Sequence, residues 1–291
     1  MANFGIISDC CGFFLMMRRL ILFLTVVFCW LWLGVVSPYN LAWAATDTVG
    51  ETVAEISTLS LDELLERAFA TSQAGRFAEA ENYWTEIINR YPDNPAMWSN
   101  RGNIRVSQNR LTEAIGDYNR AIELAPTAAD PYLNRGVAYE GLGRWSDAIA
   151  DYNRTLELSP SDAIAYNNRG NAEAGQENWE AAIADYFQAA ELDPNYAFAR
   201  ANYALALYQT GETKEAIRNI KNLIRKYPNF ADMRAALTAC LWDSGKIGEA
   251  ESNWVAAIGL DPRYRDIDWV ANIRRWPPAL VAALDRFLNL K

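Results

Sequence analysis

Residues 129–162 read ADPYLNRGVAYEGLGRWSDAIADYNRTLELSPSD, and the chain repeats this phrase at a fixed step on both sides without a gap. Its Pro160 belongs to the series Pro92, Pro126, Pro160, Pro194, Pro228 and Pro262, each 34 residues after the last. Ala148 keeps the same step with Ala80, Ala114, Ala182, Ala216 and Ala250. Four places further on stand Trp84, Tyr118, Tyr152, Tyr186, Ile220 and Trp254. A fixed period of this length marks a helix-pair unit that cannot bury its apolar face alone and must stack on copies of itself.

Slots are counted from Leu61 as slot 1, giving six units at 61–94, 95–128, 129–162, 163–196, 197–230 and 231–264. Helix A is expected over roughly slots 1 to 14, opened at Leu61 by a capping box of Ser60 and Glu63. Slot 8 is small (Ala68, Gly102, Gly136, Gly170, Ala204). Glycine costs ~1 kcal/mol against alanine inside a helix, so these positions imply a close approach of helix B. Gly75, Gly143, Gly211 and Gly245 at slot 15 suit a left-handed helix end. Helix B places alanine at slot 20, a large residue at slot 24 and an apolar one at slot 28, all on one face, and proline at slot 32 ends it. Arg101, Arg135 and Arg169 at slot 7 go with Asp117, Asp151 and Asp185 at slot 23, so an ion pair between the two helices of a unit is expected. The end units are atypical: unit 6 has Arg234 at slot 4 and Thr238 at slot 8. Arrays need such ends to cover the exposed core.

These residues at this spacing resemble tetratricopeptide repeats over Leu61 to Tyr264. The resemblance implies an all-α, right-handed superhelical solenoid of six helix-turn-helix units, with helix A lining a concave groove. Slots 2, 5, 6, 9, 12 and 13 would face that groove. Slot 6 then supplies a ladder of Asn100, Asn134, Asn168 and Asn202, joined by Asn167 at slot 5 and by Asn103 and Asn171 at slot 9. Members of the family use the slot-6 asparagine to hold an extended peptide backbone, for which an amide has both donors and an acceptor. Phe198, Leu205 and Tyr208 in unit 5, Trp242 in unit 6, and Leu65 and Phe69 in unit 1 would add apolar contacts. For Trp242, burial against the terminal helix is the competing reading; for the asparagines, it is that the amides only meet water. No groove slot carries a basic residue, whereas Glu66, Asp130, Glu140, Asp232 and Asp243 do occupy such slots. A clamp for a terminal carboxylate is therefore not expected. The expected partner is a protein or extended peptide that is neutral or mildly basic, and self-association through the ends or the convex face is the alternative.

Composition excludes other classes. The net charge is −9, with no long basic run, so nothing here marks a nucleic-acid surface. The chain has no histidine, the commonest general base and metal ligand. Of four cysteines only Cys240 lies in the repeats, where it is expected as a small core residue. Neither a phosphate loop nor a nucleophile elbow is present, so no catalytic residue, cofactor or metal is expected.

The N-terminal segment, 1–44, reads as an export signal or membrane anchor. Arg18-Arg19 precede an uncharged run at 20–36, followed by Leu41-Ala42-Trp43-Ala44-Ala45 with a cleavage site after Ala44. The run is at the short limit for a spanning helix, so both outcomes stand, and either sends the rest of the chain across a membrane. Residues 45–60 read as a linker. In 265–291, a short helix from Ile267 is expected to end at Pro277-Pro278, and Leu280, Leu284, Phe287 and Leu288 form one stripe of a capping helix over unit 6. The stretch Ile273-Arg274-Arg275-Trp276-Pro277-Pro278 through Leu290 also resembles the end of repeat proteins of the thylakoid lumen, which implies a lumenal or periplasmic address.

Overall fold

Helix pairs follow one another along the chain in a computed structural model, which describes residues 53–289. A one-turn helix α1 (Val53–Ile56) precedes the repeats. The units are α2 (Leu61–Gln73) with α3 (Phe77–Arg90), α4 (Pro95–Ser107) with α5 (Leu111–Leu124), and α6 (Ala129–Gly141) with α7 (Trp145–Leu158). They continue as α8 (Ala163–Gly175) with α9 (Trp179–Leu192), α10 (Ala197–Gln209) with α11 (Thr213–Lys226), and α12 (Ala231–Asp243) with α13 (Ile247–Leu260). A 3-10 turn (Pro262–Arg265), α14 (Ile267–Asn272) and α15 (Pro278–Asn289) complete the chain. Each helix of the array packs on the one before and the one after, and A helices also touch the A helices of adjacent units. The described residues form no strand.

The close approach inferred at slot 8 has a specific cause. A Cβ added to Gly102, Gly136 or Gly170 would stand 2.7, 2.6 or 2.8 Å from Cε1 of Tyr118, Tyr152 or Tyr186. Where slot 24 is Trp84, Ile220 or Trp254, slot 8 holds Ala68, Ala204 or Thr238, all fully buried. The tyrosine ring, then, is what requires the glycine.

The turn between helices is the same in all six units. Gly75, Gly143, Gly211 and Gly245 have positive φ, and Asn109 (φ 60°) and Glu177 (φ 63°) take the same slot in units 2 and 4. The following N–H returns to the carbonyl five residues back, as in Arg76 to Thr71 and Arg144 to Tyr139, which closes a Schellman end. The turn between units is pinned from slot 4. Trp98 Nε1, Tyr132 Oη and Arg234 Nε each donate to the carbonyl of the preceding slot-32 proline, at 2.8, 3.2 and 2.8 Å. Arg234, out of place by residue type, performs the same task.

Each expected ion pair is a two-pronged fork: Arg101 to Asp117 (3.0 and 2.7 Å), Arg135 to Asp151 (2.7 and 2.6 Å) and Arg169 to Asp185 (2.7 and 2.6 Å). The third nitrogen reaches the unit before, to Thr85, Asn119 and Asn153. The aspartates are 3, 7 and 9% exposed, far more enclosed than a surface pair.

Both ends differ from expectation. Part of the stretch read as a linker is α1, whose Ile56 is buried with Leu64, Trp84 and Ile87. Arg90 holds the following strand of chain through the carbonyls of Leu59 and Ser57. At the other end α14 stops at Asn272, ahead of the prolines. Helix α15 packs on α10 and α12, the A helices of units 5 and 6, and its Phe287 sits edge-on to Trp242 and Trp254. The largest apolar core therefore comprises units 5 and 6 together with the tail.

Candidate functional site

The A helices offer one continuous face, and the tail marks where it lies. The hydrogen bonds that the tail makes to A-helix side chains fall on slots assigned to that face. Asp232 at slot 2 accepts from Tyr264 Oη (2.6 Å), Trp276 Nε1 (2.9 Å) and Arg274 Nε (3.2 Å). Asp243 at slot 13 is gripped by Arg286 (2.8 and 2.6 Å) and accepts from Tyr208 Oη. Burial pushes Asp243 up, but Arg286 and Tyr208 outweigh it and hold the carboxyl below its usual range. Gln209 accepts from the backbone of Ala279 (2.8 Å), and Glu140 in unit 3 accepts from Arg275 (3.3 Å). Three acidic groove residues, Glu140, Asp232 and Asp243, thus hold arginines of the chain's own tail.

This places several expected contact residues differently. Leu205 and Tyr208 belong to the core beneath α15 and are buried, and Trp242 packs against Phe287. They line no open groove, because the tail supplies the apolar cover that was expected of a partner. Phe198 stays exposed but turns toward the crevice formed by Tyr227, Asn229 and Phe230, edge-on to Phe230 at 5.8 Å. Phe69 in unit 1 is exposed and edge-on to Trp84.

The asparagines form a linked set rather than independent rungs. Asn202 Nδ2 donates to Asn167 Oδ1 (3.0 Å) and Asn171 Oδ1 (3.2 Å), and Asn167 Nδ2 donates to Asn168 Oδ1 (3.2 Å). Asn134 and Asn167 are 7 and 4% exposed, whereas Asn100, Asn168, Asn171 and Asn202 are half-buried and Asn103 is exposed. The slot-24 tyrosines reach through between the helices to this face: Tyr118 Oη donates to Asn103 Oδ1, Tyr186 Oη to Asn171 Oδ1 and Tyr152 Oη to Glu140 Oε2. Sequence reading missed that link, though the shared presence of tyrosine at slot 24 with asparagine at slot 9 in units 2 and 4 was a signal for it. Burial pushes Glu140 up to about 7, against the opposing pull of Arg275 and Tyr152.

Among the described residues no group of histidine, cysteine, aspartate or glutamate is placed to hold a metal ion, and no helix is long and apolar enough to cross a membrane. The run at 20–36 and the site at Ala44 lie outside the described residues.

A sequence profile described as "TPR repeat" matches residues 102–143, and one described as "Tetratricopeptide repeat" matches 133–197 and 203–265. Together they span more than half of the chain. The chain belongs to the tetratricopeptide-repeat family. Among solved tetratricopeptide-repeat structures, one from Parabacteroides merdae matches with a TM-score of 0.60 at 23% identity, covering 79% of this chain and 85% of that one. YrrB, described as a TPR protein with an unusual peptide-binding site, matches with a TM-score of 0.51 at 22% identity, covering 62% and 92%. Such identities show the fold alone. The Hsp70-Hsp90 organizing protein 2 of Arabidopsis thaliana is 35% identical over 65 residues, which is 22% of this chain and only 11% of that protein. Tetratricopeptide repeats are scaffolds of protein–protein interaction.

Proposed function

We propose that the chain is a non-enzymatic scaffold that holds an extended, neutral or mildly basic polypeptide segment along the A-helix face of units 2 to 4. One observation carries this reading: the tail fills the face at units 5 and 6, while Asn100, Asn103, Asn168 and Asn171 keep amide surface outside it. An amide row pairs with main-chain groups irrespective of side chains, and that suits capture of an extended segment. YrrB, with its described peptide-binding site, lends the fold a precedent for such a use.

The site of action in this reading is the far side of a membrane, in the periplasm or the thylakoid lumen, with 20–36 as cleaved signal or retained anchor. Support comes from Arg18-Arg19, the uncharged run and the Ala42-Trp43-Ala44 site. A scaffold at that address would serve the assembly or maintenance of a membrane-associated complex. Replacing Asn100 and Asn168 by alanine tests the reading. Loss of partner binding with an unchanged oligomeric state supports it; unchanged binding counts against it.

A second reading, self-association, is favoured by Ile247 and Val255, which stand exposed on the last B helix. Sedimentation of the Val255→Arg chain decides it: a dimer that turns monomeric supports this alternative.

A further inference from the structure

The link between α14 and α15 contains two arginines that are held very differently. Arg274 joins Tyr264 and Trp276 on Asp232, a buried carboxylate with three donors, two of them from the tail. Arg275 crosses instead to Glu140, 135 residues back, through one nitrogen at 3.3 Å. Its guanidinium lies 5.6 Å from the centre of the Trp145 ring, and half of its side chain is exposed. Its backbone is left-handed at φ 53°, a region that non-glycine residues avoid. Two residues before it Ile273 is 68% exposed. Glu140, by contrast, is 15% exposed and backed by the Tyr152 hydroxyl, so the receiving side is built and the incoming side is loose.

We propose that Glu140 and Trp145 form a guanidinium-binding subsite of the groove, which Arg275 occupies in cis and an arginine of the bound polypeptide occupies in trans. The chemistry is a carboxylate to pair with the cation and an aromatic ring to cover its plane. Arg275 can leave without unseating the tail, because Asp232 and Asp243 keep Arg274, Trp276 and Arg286 in place. The tail then acts as a weak internal competitor, and the partner class narrows to segments bearing an arginine at this register. The inference rests on the peptide-binding reading of the groove.

The test uses the full chain and a labelled octapeptide, ANIRRWPP, copied from residues 271–278, beside a version with alanine in place of the second arginine. Fluorescence anisotropy should show the arginine peptide binding Arg275→Ala about ten-fold more tightly than the wild type, because vacating the subsite raises the competent fraction. Adding Glu140→Gln, which keeps an acceptor for Tyr152, should abolish that gain, as should the alanine peptide. Equal affinity for wild type and Arg275→Ala, or a gain that survives Glu140→Gln, overturns the subsite. Equal binding of both peptides to Arg275→Ala overturns it while leaving the groove reading intact, and binding of neither overturns both.

Discussion

At Gly136 two opposing effects meet, and their sizes decide the outcome. Alanine gains ~1 kcal/mol in helix propensity, but its Cβ would lie 2.6 Å from a Tyr152 ring that is itself fully buried. Overpacking of this kind costs about 1–3 kcal/mol, so Gly136→Ala should lower the urea midpoint. Adding Tyr152→Ile recreates the Ala204–Ile220 pair of unit 5 and should recover part of the loss. At slot 15 the balance runs the other way. Glu177 holds a left-handed φ that four other units assign to glycine, so Glu177→Gly should stabilise the chain by about 1 kcal/mol. Arg135 is a third case. Removing it leaves Asp151 buried and unpaired, a loss of about 3–5 kcal/mol. Burial already holds Asp151 above its usual range despite the fork.

At the scale of elements, the tail behaves as a wedge with a loose strap. Phe287 fills the space between Trp242 and Trp254, at 5.2 and 5.3 Å between ring centres. Phe287→Ala should cost about 3–5 kcal/mol, with hydrogen exchange rising first in α12 and α13. The strap depends on Glu140, faced by Arg275 from the tail and Tyr152 from α7. Its folded pKa is raised to about 7, so between the ordinary glutamate range and that pH the folded chain holds a proton the unfolded chain has released. Its contribution to stability therefore declines as pH rises from its ordinary range through 7. Contact with Arg275 needs the charged form and follows the opposite sign. At pH 6, compared with pH 8, exchange at Ile273 to Trp276 should be faster after correction for intrinsic rates, while the part of global stability owed to Glu140 should be greater.

The helix pairs, their turns and the Arg–Asp forks were legible because each is set by neighbours at a constant sequence offset. Pro92 to Pro262 gave the pitch, and Arg135 with Asp151 sits 16 residues apart in every unit that has the pair. The path of the tail was not legible. Arg275 finds Glu140 across 135 residues, and no period relates them. Hence Leu205 and Tyr208 read as open groove positions, when the chain itself covers them. The asparagine ladder was visible as spacing, but the Asn202 bonds to Asn167 and Asn171 depend on how adjacent A helices abut. At the scale of the repeat array, the proposed working surface is the A-helix face of units 2 to 4 and not the B-helix face. Photocrosslinkers placed one at a time, as Asn103→p-benzoylphenylalanine or Asn168→p-benzoylphenylalanine on the first face and Phe187→p-benzoylphenylalanine or Val255→p-benzoylphenylalanine on the second, measure this directly. Crosslinks to a distinct polypeptide from 103 and 168 alone are the result expected; crosslinks from 187 and 255 alone, or only to further copies of the chain, would contradict it.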